Sequence, residues 1–388
     1  MKALWKVALG ILVVAVIASL VRGSWHIISV AQNDFAPLYV AAQTVGTDQL
    51  YEPEPYRDFL IERFGGTNEA LRYSRPPFYA IALWPLGLLP YQQAHGIYIV
   101  LRLAAGVAFV LLWRMNTRAA TALSLLLSLP FVAGFILGQD GVFLLLFLGV
   151  AWRLMEDERP FSAGLALSLC AIKFHLFLTL PVWLASRARR PILKGFALGA
   201  MVLVVASFAV QGWRWPEEYA EVLLAPSLSP KAETMPNLHG LFAGFALGAF
   251  LEALTTVAVL WGCWHANGIA DWRYSFSVVL LGGVLTSYHS YLADCIILLP
   301  AVLVLRRLDT RPRLRTAGLL MLLPAPLITG HPAAYLVQLG FAALFFAMAF
   351  KPSIQNDSSA TGRSSDWKST FATVQRNSAN APPTEALH

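Results

Sequence analysis

The feature that constrains this chain most is the length of its apolar runs. They extend over approximately 4–24, 94–113, 119–137, 141–155, 192–210, 240–263, 275–289, 291–306, 316–330 and 333–350. A helix needs about 20 apolar residues to cross about 30 Å of hydrocarbon, and most of the runs are close to that length. Backbone inside a bilayer must satisfy its own hydrogen bonds, so the runs are expected to be helices. Leu103–Trp113, Phe143–Ala151 and Val278–Leu285 carry no polar stripe, which excludes the amphipathic helix of a water-soluble domain. The charged fraction is 13%, against about 25% in soluble domains, too little to cover a core in water. The expected fold is therefore an all-α polytopic membrane protein of about ten transmembrane helices. The membrane domain is expected over residues 1–351. Residues 352–388, rich in Ser, Asn and Thr, are expected as a disordered cytoplasmic tail. No internal repeat is visible.

A net charge of +7 raises the question of a nucleic-acid partner, but the basic residues cluster at the ends of the apolar runs and read as topology markers. With the N-terminus in the cytoplasm and alternating spans, 17 Lys and Arg fall inside and seven outside; the other five lie within apolar segments or the tail. This bias places both termini in the cytoplasm of a cell inner (plasma) membrane, with lipid and not nucleic acid as the surrounding partner. Lys2 and Lys6 before a long apolar stretch fit a signal peptide, but no small-x-small cleavage site follows cleanly, so an uncleaved first span is expected. Cys170, Cys263 and Cys295 lie in apolar runs without metal-ligand spacing and read as packing residues.

Two segments do not fit simple spans. Phe161–Ser186 is one span long, yet basic residues flank both ends and its middle is Lys173-Phe174-His175, followed by Pro181. A broken helical hairpin that enters the membrane and returns satisfies both constraints. Pro76–Pro90 holds four prolines and is expected along the outer interface. The long outer segments Gln32–Arg75 and Gln211–His239 mix polar and aromatic residues, which suits interfacial helices.

Ionisable side chains near membrane depth are costly, so each is a candidate for function. Most fall in outer turns: Asp34, the Gly138-Gln139-Asp140-Gly141 turn, His239, the group Tyr288, His289, Tyr291 and Asp294, and His331. Each has a plainer reading. Asp34 fits a helix cap, Asp140 a glycine-flanked turn, His239 a helix end, and Tyr288–Asp294 an aromatic anchor. Glu252 and Arg102 fall in mid-span and fit structural pairing; Lys173 and His175 fit snorkelling to the surface.

Asn33-Asp34-Phe35 with Tyr39, then Leu50-Tyr51, Tyr73-Ser74-Arg75-Pro76-Pro77-Phe78 and Pro85-Leu86-Gly87-Leu88-Leu89-Pro90, resemble glycosyltransferase family 87. The resemblance continues in Leu137-Gly138-Gln139, Ala163-Gly164-Leu165, Ile172-Lys173-Phe174-His175, Asn237-Leu238-His239-Gly240 and Tyr288-His289-Ser290-Tyr291 with Asp294. It covers nearly the whole chain up to Lys351, and the order and spacing of the motifs carry it more than any one of them. Family members often have Asn after the Gly-Gln turn and Pro after the Lys, where this chain has Asp140 and Phe174. The reaction class therefore follows from the resemblance more directly than the donor or acceptor.

The resemblance implies a GT-C-like membrane enzyme that moves a hexose, mannose in the best-known members, from a polyprenyl-phosphate donor with inversion. It maps the catalytic base onto Asp34. The acceptor is a glycan or lipid on the extracytoplasmic side. A leaving lipid phosphate needs cations or hydrogen-bond donors, and Arg75, Lys173, His239 and His289 are candidates, with Gln139, Asp140, Tyr288 and Asp294 as further binding residues. No Asp-x-Asp nucleotide–metal motif is present, which fits a lipid-phosphate donor and argues against a nucleotide sugar, and no metal and no cofactor is expected. The main rival is a transporter or lipid flippase, which predicts midplane charges and a repeat. A site-free assembly partner leaves the clustered outer His and Asp unexplained.

Overall fold

The computed structural model describes residues 22–30, 33–66, 72–225, 231–329 and 333–350, with positions 15, 18 and 19 before them. Most of the expected first span, His331 and the 352–388 tail lie outside the described residues. Every regular element among the described residues is a helix. The helices used below are α1 (Phe35–Thr44), α2 (Tyr91–Leu112), α3 (Gly141–Glu156), α4 (Pro160–Ser168), α5 (Arg190–Gln211), α6 (Gly248–His265), α7 (Trp272–Thr286) and α8 (Ala333–Ala349).

Four stretches are long and apolar enough to cross a membrane: Tyr91–Leu112, Pro160–Phe177, Arg187–Gln211 and Gly248–Gly268. Arg118–Leu126 and Leu129–Ile136, bent by 59° at their junction, make a fifth if counted together. Three of these stretches, and the bent pair, coincide with four of the ten apolar runs, while Pro160–Phe177 belongs to the segment expected as a broken hairpin. Several runs build shorter helices instead, such as the 16-residue α3 and the 15-residue α7. Prolines account for part of this: Pro130, Pro181 and Pro300 each sit in the first turn of a new helix, where no amide hydrogen is needed. On α2 and α6, Val100, Val107, Phe250 and Val257 are each about 60% exposed, which suits hydrocarbon and not water.

The core is built around α7, twelve of whose fifteen residues are buried. An apolar helix without a polar face must be covered on all sides. The same holds for α1, which the sequence reading placed at the outer interface. Its residues Phe35 to Ala42 are all buried, and Phe35 stacks on Tyr98 at 4.7 Å and Tyr91 at 5.6 Å. The proline-rich segment forms the helix Pro77–Gly87, pressed on α1 so closely that a Cβ at Gly87 would stand 2.8 Å from the Ala42 carbonyl. The two long outer segments meet where the Gly46 amide donates to Gln211 Oε1 at 3.0 Å and Gln211 Nε2 donates to the Thr47 carbonyl at 2.6 Å.

Charges sort to opposite ends of this bundle. At one end Trp113 packs on Trp152, Trp152 on Trp272, Arg273 pairs with Glu156, and Arg311 reaches the Tyr274 hydroxyl. At the other lie Asp34, Arg75, Asp140, Lys173 and Asp294, joined by the contacts given below. The segment expected as a broken hairpin runs between them. α4 leaves the first end beside Glu156, the helix breaks at Lys173 (φ −127°, ψ 61°), and the chain then descends antiparallel to α7. Thr179 donates to the Val279 carbonyl at 2.7 Å, and Trp183 and Arg189 reach Ser275 at 3.0 and 3.1 Å. Lys173 therefore sits at the turn, and both basic flanks return to one end. α5 then climbs beside α4, and Gly164 and Gly195 allow the close crossing. A Cβ at Gly195 would lie 1.9 Å from the Phe161 carbonyl oxygen.

Candidate active site

The site is organised by one turn. Gly138 adopts φ +74°, and a Cβ there would meet Asn33 Oδ1 at 2.5 Å, so only glycine lets the turn lie against the start of α1. The Asp34 amide donates to the Leu137 carbonyl at 3.0 Å, which fixes the start of α1 to this turn. Asp34 precedes α1, but its side chain does not cap that helix; Asn33 Oδ1 accepts from the Phe35 amide instead, at 3.0 Å. The Asp34 carboxylate is left to accept a hydrogen bond from Gln139 Nε2. Asp140 likewise stands at the N-cap of α3 without capping it.

Gln139 and Asp140 are held by Lys173. Its ammonium donates to Gln139 Oε1 at 3.0 Å, Asp140 Oδ1 at 2.9 Å and Asp294 Oδ1 at 2.6 Å, which uses all three of its protons. Lys173, Asp140 and Asp294 are each 1% exposed. Arg75 Nε bonds Asp140 Oδ2 at 2.9 Å, and Asp294 Oδ2 accepts from the Tyr291 amide at 2.8 Å. Two cations thus face two fully buried carboxylates, and Asp34 is the third, half-buried carboxylate beside them. Because Lys173 can only donate, it fixes the Gln139 amide with its oxygen inward and its NH2 toward Asp34.

Asp34 borders a cavity of about 60 Å³, whose lining includes Arg72, Arg75, Gln139, His289 and Tyr291. Burial pushes the Asp34 carboxyl up to about 6, while Lys173 and Arg75 pull it down. His289, in the turn after α7, is lowered to about 4 by burial and is a neutral imidazole at neutral pH. Its ring stands edge-on to Tyr291 at 4.9 Å and to His175 at 6.2 Å.

The structure brings Asp34, Arg75, Gln139, Asp140, Lys173, His289 and Asp294 together, from five separate stretches of chain. Lys173 enters as an internal strut: its ammonium is spent on protein acceptors. His239 and Tyr288 form a neighbouring group, with His239 Nδ1 3.1 Å from Glu252 Oε2 and its ring 5.7 Å from Tyr288. Glu252 and Arg102, both singled out in mid-span, do not pair with each other. By sequence Arg72 is only one of the seven basic residues expected outside. It lines the cavity, and its Nε is buried without a hydrogen-bond partner. The only signal for it was its place three residues before Arg75.

A buried network of two cations and three carboxylates, one of them raised in pKa and set at a cavity at one end of a helical membrane protein, is the kind of arrangement in which functional sites are found. The chain belongs to glycosyltransferase family 87: the family's model matches residues 73–287. The matched stretch holds Arg75, Gln139, Asp140, Lys173 and His239, while Asp34, Tyr288, His289 and Asp294 lie outside it. No curated protein and no solved structure matches the chain.

Proposed function

We propose that this glycosyltransferase moves a hexose, mannose being the first choice, from a polyprenyl phosphate to a glycan or lipid acceptor, with inversion and with Asp34 as general base. The observation that carries the reading is Asp34 in the wall of a cavity that Arg72, Arg75 and His289 also line. In the reaction an acceptor hydroxyl oxygen bonds to the anomeric carbon as the bond from that carbon to the phosphate oxygen breaks. The hydroxyl proton goes to Asp34, and the lipid phosphate leaves as an anion. A carboxyl titrating near 6 is largely ionised at neutral pH yet more basic than an exposed one, which suits proton abstraction.

Arg72, in the cavity wall, offers positive charge to the leaving phosphate, and His289 offers a neutral N–H donor. Arg75 adds charge nearby, although Asp140 holds its guanidinium. His239 and Tyr288 extend the site toward the acceptor or the prenyl chain. The site end of the bundle faces the extracytoplasmic side of the inner membrane, and the Arg-rich end faces the cytoplasm, in keeping with the excess of basic residues on cytoplasmic loops.

The test is incorporation of radiolabel from polyprenyl-phosphate mannose into acceptors extracted from the source membranes. Asp34→Asn keeps shape and hydrogen bonding but cannot take the proton, so activity is expected to fall about 10²–10⁴-fold. Full activity in the folded variant rules out the mechanism.

A further inference from the structure

Arg102 is unused by the mechanism above. It lies within the membrane-crossing helix α2, is 3% exposed, and makes no ion pair among the described residues. A cation at that depth is costly unless the protein uses it. Its guanidinium donates to the Gly134 carbonyl at 2.5 Å and stacks over the Phe135 ring at 4.9 Å and the Tyr98 ring at 5.5 Å. Gly134 is in the last turn of the helix Leu129–Ile136, where carbonyls carry partial negative charge and a cation is favourable. The same carbonyl accepts from the Gln139 amide at 2.9 Å. Arg102 and Gln139 also share the wall of a small cavity, whose lining includes Gly141 and Ala293.

One carbonyl therefore ties Arg102 to the turn that carries the site. From that turn Leu137 takes the Asp34 amide, Gln139 bonds the Asp34 carboxylate, and Asp140 meets Arg75 and Lys173. We propose that Arg102 is a positioning residue for the transfer reaction, clamping the 137–140 turn so that Gln139 presents Asp34 to the substrate cavity. This rests on Asp34 being the base. Arg102 touches no reacting atom; it acts through Gly134 and Gln139, and its charge is felt by Asp140 and Asp34. The other ionisable groups around Arg102 are His95, Tyr98 and Tyr79. Those facing Asp34 are Lys173, Arg75, Asp140 and Tyr291.

The experiment compares R102K and R102Q in the full-length purified protein, with activity read from polyprenyl-phosphate mannose. R102Q keeps an N–H donor and loses the charge. Its kcat is expected to fall about tenfold or more with donor KM unchanged, as misplacing a catalytic group does. The acid limb of its pH profile is expected to move to higher pH, because a cation that favours ionised Asp34 is gone. R102K keeps the charge, so its limb is expected to stay with the parent while kcat falls for want of the guanidinium fork. A folded R102Q with an unshifted limb and parental kcat overturns the proposal. Should R102Q not fold, R102K decides, and parental kcat there overturns it.

A second readout needs no turnover. The difference in thermal midpoint between parent and D34N, followed across pH, reports the titration of Asp34. Adding R102Q to both proteins is expected to move that titration to higher pH, and an unmoved titration also overturns the proposal. Loss of activity in D34N alone, with both Arg102 variants at parental values, sinks the role of Arg102 and leaves Asp34 as base. Full activity in D34N sinks the base itself.

Discussion

Asp34, Asp140 and Asp294 carry the same functional group within one network, and their surroundings divide the work. Asp140 and Asp294 are spent on Lys173 and Arg75, while Asp34 is held by a neutral amide and keeps a lone pair for the cavity. Because its carboxyl is raised from 3.8 to about 6, the folded state favours the protonated form. The stability this contributes is present in full below 3.8 and is lost as pH rises through about 6. The thermal midpoint of Asp34→Asn is therefore expected to climb above that of the parent as pH goes from 4 to 7. Activity should run the other way, falling as the parent is acidified through about 6, since a protonated base cannot act. A pH–rate profile flat from pH 5 to 8 contradicts the assignment. Lys173→Met leaves two buried carboxylates without their shared cation, and about 3–5 kcal/mol of stability should be lost in chemical unfolding.

At the scale of elements, the hairpin and the turn are held by backbone requirements more than by side-chain chemistry. The hairpin breaks where Lys173 needs three acceptors at one end of the bundle, and its legs return along α7 and α4. Parallel packing of α5 on α4 depends on Gly164 and Gly195, whose missing side chains let the two backbones approach. Gly195→Val places a branched side chain against the Phe161 carbonyl, a contact that must push the helices apart. The variant is expected to lose its monodisperse peak in detergent, or to melt well below the parent. A parental melting curve shows that α5 shifts freely and that the close crossing is not needed. Gly138→Ala should act differently, lowering activity before stability, because it displaces Asn33 and with it Asp34.

At the scale of the molecule, the separation of a basic end from a site end gives the topology its prediction. Asp48 is exposed near the site end and Arg313 near the basic end, and the three native cysteines are buried. A cysteine at position 48 is expected to react with a membrane-impermeant maleimide in intact cells, and one at 313 only after permeabilisation. The reverse pattern inverts the protein and moves its site to the cytoplasm.

The sequence by itself determined the helical class, the sorting of basic residues to one end, the break at Lys173 and the stretches from which the site is drawn. These follow from hydrophobic length, from charge at run ends and from the cost of polar groups at depth, all of which are local properties. Tertiary structure alone decided what each of those residues touches. Lys173 looks like a phosphate ligand until three internal acceptors claim its protons, and Arg72 looks like a surface charge until it lines the cavity. α1 reads as interfacial until its rings are seen packed against α2. The number of full-length spans was likewise not legible, because a run of apolar residues sets where a helix is permitted, while prolines and packing on α7 set where it ends. Which carboxylate keeps a free lone pair depends on partners as far as 121 positions away in the chain, and no local pattern encodes that pairing.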